Sequence, residues 1–136
     1  MSEDLPNSLA ALPLIAHVVY RFDYGGLENG IVNLINATQG ESFRHCVIAL
    51  TEATDFRKRL QAPEVAVYEI GKKPGKDFGS YIRLYRLLRR LGPKILHTRN
   101  IGTLDCAVVG RLAGVSECIH GEHGWDVHDP DGRNRK

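Results

Sequence analysis

No apolar run in this 136-residue chain approaches the length that crosses a bilayer. The leading "MSEDLPNSLAALP" has acidic residues where a secretory signal needs basic ones, and proline interrupts its short apolar part. Cysteine is scarce. Cys46, Cys106 and Cys118 are odd in number and scattered, with no C-x-x-C pair, which disfavours a disulfide framework and fits reduced, buried thiols in a cytoplasmic protein. Neither sign of charge dominates. Eighteen Lys and Arg stand against 16 Asp and Glu, a net charge of +2 that makes no case for a nucleic-acid partner. Internal repeats and low-complexity tracts are also missing. What remains is ordinary globular composition, 43% hydrophobic and 25% charged, in a chain the size of one domain. A domain of that size buries about two-thirds of the surface its unfolded chain exposes.

Hydrophobic periodicity then switches back and forth along the chain. "LIAHVVY" (Leu14 to Tyr20), "HCVIAL" (His45 to Leu50), "VAVYEI" (Val65 to Ile70), "KILHT" (Lys94 to Thr98) and "ECIHGE" (Glu117 to Glu122) read as strands. Between them, Leu27, Ile31, Leu34 and Ile35 mark one face of a helix, and "TDFRKRL" a short one that Thr54 or Asp55 caps. Tyr81, Leu84, Tyr85, Leu88 and Leu91 are expected to share the buried face of a third helix stopped by Gly92-Pro93; "GTLDCAVVGRLAG" is the fourth. Alternation of this kind predicts an α/β fold: a doubly wound, mostly parallel, Rossmann-like sheet with helices on both faces and strand order 3-2-1-4-5. Residues 14–126 form the domain, residues 1–13 a flexible leader and residues 127–136 a polar tail.

Ligands of such sheets bind at the carboxyl ends of the strands, where strands one and four diverge. "RFDYGGLEN", "HTRNIG" and "HGEHGWD" converge there. Gly25 and Gly26 allow close backbone approach, and the helix that begins at Leu27 aims free N–H groups at an anion such as phosphate. The pattern is neither G-x-G-x-x-G nor a Walker loop, although Glu52 stands where a ribose-binding acid would, so a nicotinamide-dependent oxidoreductase is one alternative. A non-catalytic interaction module, with the glycines as a plain turn, is another. Arg99 suits bidentate pairing with phosphate or carboxylate, and Asn100 or Thr103 caps the following helix.

The run Cys118 to Asp129 carries His120, His123 and His128, but no helical H-E-x-x-H frame to build a metal site. Histidine at a strand end suits hydrogen bonding or proton transfer; His128, in "VHDPDG", belongs to a turn. Between Lys72 and Arg90 lie Lys72, Lys73, Lys76, Arg83, Arg86, Arg89 and Arg90 with Asp77 alone for acidic company. That segment is either a solvated face or a contact for anionic lipid.

Strand one followed by "GGLE", then "ILHTRN", then "AGVSECIHGEHGWD", in this order from Leu14 to Asp126, resemble the N-terminal half of retaining GT-B glycosyltransferases of family 4, especially bacterial exopolysaccharide sugar transferases. The resemblance implies a hexosyltransferase-type enzyme that uses a nucleotide-sugar co-substrate and no metal or other cofactor. It places Gly25 and Gly26 against the donor diphosphate, His123 on the transferring sugar and His120 beside it. Glu28, His97, Arg99 and Asn100 would line the cleft or its acceptor side. It also implies a glycan or lipid-linked acceptor met in the cytoplasm at the inner membrane face. The family's second domain and its glutamate-containing donor motif find no counterpart before Lys136, so the chain alone is expected to be inactive, with an unfinished sheet edge open to self-association.

Overall fold

A computed structural model of the protein describes residues 10–99 and 104–121. Strands β1 (Leu14–Val19), β2 (Arg44–Ala49), β3 (Ala66–Glu69), β4 (Ile95–Arg99) and β5 (Glu117–Gly121) form one sheet in the order β3-β2-β1-β4-β5, all neighbours parallel. Helices α1 (Gly26–Thr38), α2 (Phe78–Leu91) and α3 (Leu104–Leu112) supply crossovers, and a single 3-10 turn (Asp55–Arg59) stands in the connection from β2 to β3. The alternating pattern thus becomes the expected doubly wound, Rossmann-like sheet. Its strand limits differ by a residue from the periodic reading, and the short predicted helix is 3-10. Thr54 caps that turn, its side-chain oxygen accepting from the Phe56 N–H.

The sheet separates two apolar layers. On one face Ala16, Val18, Ile48 and Leu96 meet Leu84 and Leu88 of α2 and Cys106 of α3. On the other, Val19, Val47 and Ala49 meet Ile31, Val32 and Ile35 of α1, with Phe22 and Phe56 packed edge to face at 5.1 Å. Side chains alternate across the sheet, so even and odd positions of each strand serve different layers. Cys46 and Cys106 are buried thiols, and burial pushes both up to about 12.

α2 corrects one expectation. Ser80, Leu84 and Leu88 are its buried residues, whereas Tyr85 is exposed. Successive helical residues turn by about 100°, so Tyr85 is carried off the face that Leu84 and Leu88 define. Tyr81 is half-buried, its hydroxyl donating to Asp105 of α3 at 3.0 Å. Asp77 caps α2 by accepting from the Ser80 N–H, and Gly92 ends it in the left-handed conformation (φ 61°, ψ 47°).

Candidate functional site

The loop after β1 is anchored before it reaches its glycines. Phe22 is fully buried and bridges to Ala53; its N–H donates to the Glu52 carbonyl while its own carbonyl accepts from the Thr54 N–H. Arg21 pairs with Glu52 at 2.9 Å and with Asp23 at 3.3 Å, and Asp23 accepts from the Tyr24 N–H and the Thr54 hydroxyl. These donors lower the Asp23 carboxyl below its ordinary range, the Tyr24 N–H first among them. Loops after β1 and β2 are therefore one structure, and Glu52 is an ion-pair partner of Arg21.

On that base, Gly25 is the N-cap of α1 and Gly26 its first residue. Neither lies in the left-handed region, so local backbone geometry does not demand glycine. What the glycines preserve is space. A Cβ on Gly26 would meet nothing within 4 Å, and one on Gly25 would meet only the Glu28 carboxylate, whose Oε1 lies 2.6 Å from that position. The N-cap residue offers no side-chain cap to α1, whose first turn follows β1 at the carboxyl edge of the sheet. Backbone N–H groups and the positive end of the helix dipole thus stand open to an anion.

The strand-end residues divide between the two faces. His97 and Arg99 point to the α1 side, Thr98 and His120 to the other. His120 is half-buried, with Nδ1 2.7 Å from the Thr98 hydroxyl, which is 3.4 Å from the Ile119 carbonyl. The contact ties β4 to β5 across the pair Thr98 and His120.

Arg99 is not the open crevice residue that the loop reading implied. It closes β4, is 5% exposed, and folds back along the sheet: its guanidinium donates to His17 Nδ1 at 3.1 Å and to His97 Nδ1 at 2.9 Å. The reason is register. His17 of β1 sits directly beside His97 of β4, and Arg99 is two residues further on the same face. Guanidinium has no acceptor, so both Nδ1 atoms accept and both rings carry their proton on Nε2. His17 then donates from Nε2 to His45 Nδ1 at 2.9 Å; His45 donates from Nε2 to the Thr38 hydroxyl at 2.9 Å; Thr38 donates to the Leu34 carbonyl at 2.7 Å. Every bond in this chain points away from Arg99. Burial, then the charge of Arg99, holds His17 well below the ordinary histidine range, and burial lowers His45. Arg99 itself is lowered by burial to about 10 and remains a cation at neutral pH.

The reading from residue types missed His17 and His45. A signal was present: His17 stands inside a strand whose other residues are all apolar, His45 opens the apolar run Cys46 to Leu50, and a buried imidazole needs partners. Asn100, His123 and His128 lie outside the described residues. Among the described residues, no cluster of His, Cys, Asp or Glu is arranged to hold a metal ion, and no helix is long and apolar enough to cross a membrane.

Residues 24–136, from the tyrosine before the glycine pair to the last residue, match the family model described as Glycosyltransferase Family 4. The chain belongs to glycosyltransferase family 4. The match includes the glycine loop, β4 and the histidine-rich run, and a five-stranded parallel sheet flanked by helices agrees with a Rossmann-like half of a GT-B fold. No curated protein matches the chain. Family 4 membership indicates a glycosyltransferase-type function in place of a nicotinamide-dependent oxidoreductase. In this glycosyltransferase domain the described residues at the carboxyl edge of the sheet include the start of α1, the Arg21, Asp23 and Glu52 cluster, and Arg99 and His120 at the strand ends.

Proposed function

We propose that this domain is the acceptor-side half of a retaining GT-B glycosyltransferase of the hexosyltransferase type. The enzyme would move a sugar from a nucleotide-sugar to a glycan or lipid-linked acceptor in bacterial exopolysaccharide synthesis, on the cytoplasmic side of the membrane. The supporting observation is the uncapped, glycine-opened start of α1 after β1, at the carboxyl edge of the sheet, in a chain of family 4.

In this reading the N–H groups of the first turn of α1 face the donor diphosphate across Gly25 and Gly26. Sugar transfer breaks the bond from the anomeric carbon to the diphosphate oxygen and forms one to an acceptor hydroxyl oxygen; the hydroxyl proton leaves with the departing phosphate. Negative charge grows on the leaving diphosphate, and oriented N–H groups stabilise it without reorganising. Glu28 borders that space. His123 contacts the transferring sugar, and His120, hydrogen-bonded to Thr98, stands beside it. Asn100 and His97 line the acceptor side. Arg99 acts as a positioning residue that holds His97 in one tautomer. No metal or other cofactor takes part.

Calorimetric titration with a panel of nucleoside diphosphates tests the donor assignment. At least one should bind saturably, NAD should not, and Gly26→Val should weaken binding by about tenfold by filling the approach to α1. Undiminished affinity in that variant would reduce the glycine loop to a turn. In an enzyme complete with its donor domain, His123→Ala should lower turnover more than it weakens nucleotide binding.

A further inference from the structure

β3 is the outermost strand of the described sheet, with β2 on one side and no described strand on the other. At its end the Ile70 N–H reaches inward to the Ala49 carbonyl. Successive backbone N–H groups of an extended chain point to opposite edges, so Tyr68 also bonds inward, and the backbone groups of Val67 and Glu69 turn outward. An edge of that kind is a template for pairing with another chain.

A groove of about 430 Å³ lies along this border, between β3 and α2. Tyr68, Ile70 and Leu87 give it an apolar lining, and Arg83, Arg86 and Arg90 of α2 stand along one wall. Arg83 is already committed: its Nε donates to the Ile70 carbonyl at 3.0 Å, and its guanidinium pairs with Asp77 at 3.3 Å. Arg86 and Arg90 are exposed and have no carboxylate partner among the described residues. Glu69, the one acidic residue that lines the groove, does not answer them. Tyr68 packs with the α2 layer and Val67 with the α1 layer, so Glu69 sends its carboxylate to the α1 side, where it accepts from the Ala53 N–H at 2.8 Å and pairs with Arg57 at 3.4 Å.

We infer that this groove receives an extended acidic segment of a partner protein, which adds as a strand to the outer edge of β3 and sets alternate carboxylates on Arg86 and Arg90. The spacings agree. Residues i and i+2 of a strand share a face about 6.6 Å apart, and Arg86 and Arg90, four residues apart on α2, are separated by about 6 Å along the helix. As the crossover from β3 to the parallel β4, α2 runs back alongside the strands. An acid-x-acid pattern therefore meets both arginines while its backbone meets Val67 and Glu69. Free phosphate or a lipid headgroup would satisfy the arginines and leave the strand edge unpaired. A second copy of β3, with the sequence AVYE, brings a single acid. The inference draws on neither the donor nor the acceptor assigned above.

Fluorescence anisotropy of the full chain with a labelled synthetic peptide of alternating glutamate and valine tests it. That peptide should bind saturably, and its counterpart of alternating lysine and valine should not. Methylating the backbone nitrogens on the pairing edge keeps the peptide's charge and removes its strand donors, so binding should fall about tenfold or more. Arg86→Gln with Arg90→Gln should weaken binding about fivefold per arginine, and added salt should act in the same direction. In NMR, the Val67 and Glu69 amides should gain protection from hydrogen exchange when the peptide binds. Absence of binding by the acidic peptide overturns the inference. So does equal affinity of the methylated peptide, or unchanged binding by the glutamine variant with a native circular dichroism spectrum. Inorganic phosphate or phosphatidylglycerol vesicles held by Arg86 and Arg90, with no peptide bound, would also overturn it and leave only an anion site.

Discussion

Arg99 shows how much a single side chain can decide. A buried guanidinium that donates to two imidazoles forces the tautomers of His17 and His97, and through His17 that of His45. Arg99→Met removes two charge-assisted bonds and leaves two buried acceptors, so chemical denaturation should show a loss of about 2–4 kcal/mol. The same chain makes stability depend on acid. Folding lowers the pKa of His17 and His45 relative to the unfolded chain, so below pH 6.5 the unfolded state binds more protons than the native one. Their contribution is present above that value and fades as pH falls toward the lowered pKa values, with a slope of at most about 1.4 kcal/mol per pH unit for each histidine. Thermal melts from pH 7.5 to pH 5 should show this slope, and His17→Phe with His45→Leu should flatten it.

At the scale of the element, close approach and capping matter more than propensity. α3 lies against β4 and β5 through Gly110, where a Cβ would strike Leu96 Cδ2 and come within 3.2 Å of Cys118 Sγ. Gly110→Val should therefore cost about 1–3 kcal/mol by overpacking, measured by urea unfolding, although valine is compatible with the local helix. α2 begins on the Asp77 carboxylate, which accepts from the Ser80 and Lys73 N–H groups and pairs with Arg83 at 3.3 Å. Asp77→Ala should cost about 1 kcal/mol and loosen the lysine-bearing turn before the helix. The helices were legible from the spacing of Ile31 and Ile35, of Leu84 and Leu88, and from Gly92. Tyr85 was misplaced because an aromatic one step from a core leucine satisfies the same periodic template on either side of the seam.

Across the whole molecule, the sheet is deepest at β1 and β2, whose residues are nearly all buried, and shallowest at β5, where Glu117 and Ile119 are exposed. Amides of Ala16 to Val19 and of Val47 and Ile48 should exchange hydrogen only through global unfolding, and those of β5 through smaller openings; exchange followed by NMR distinguishes the two. Strand order and the crevice between β1 and β4 were readable in advance because right-handed crossovers leave few topologies for alternating strands and helices. The glycine pair could be placed after β1, at the start of α1, on the same grounds.

Alternation, turn chemistry and the apolar period belong to neighbours along the chain, and so the sequence alone determined the doubly wound fold and the segments that meet at its carboxyl edge. Register belongs to residues far apart in sequence. Tertiary structure alone decided that His97 and Arg99 face α1 while His120 faces the other layer, because a strand sends successive side chains to opposite sides and only pairing sets which side is which. It also brought His17, His45, His97 and Arg99 into one hydrogen-bonded chain, and turned Phe78 and Ile82 outward beside the arginines of α2.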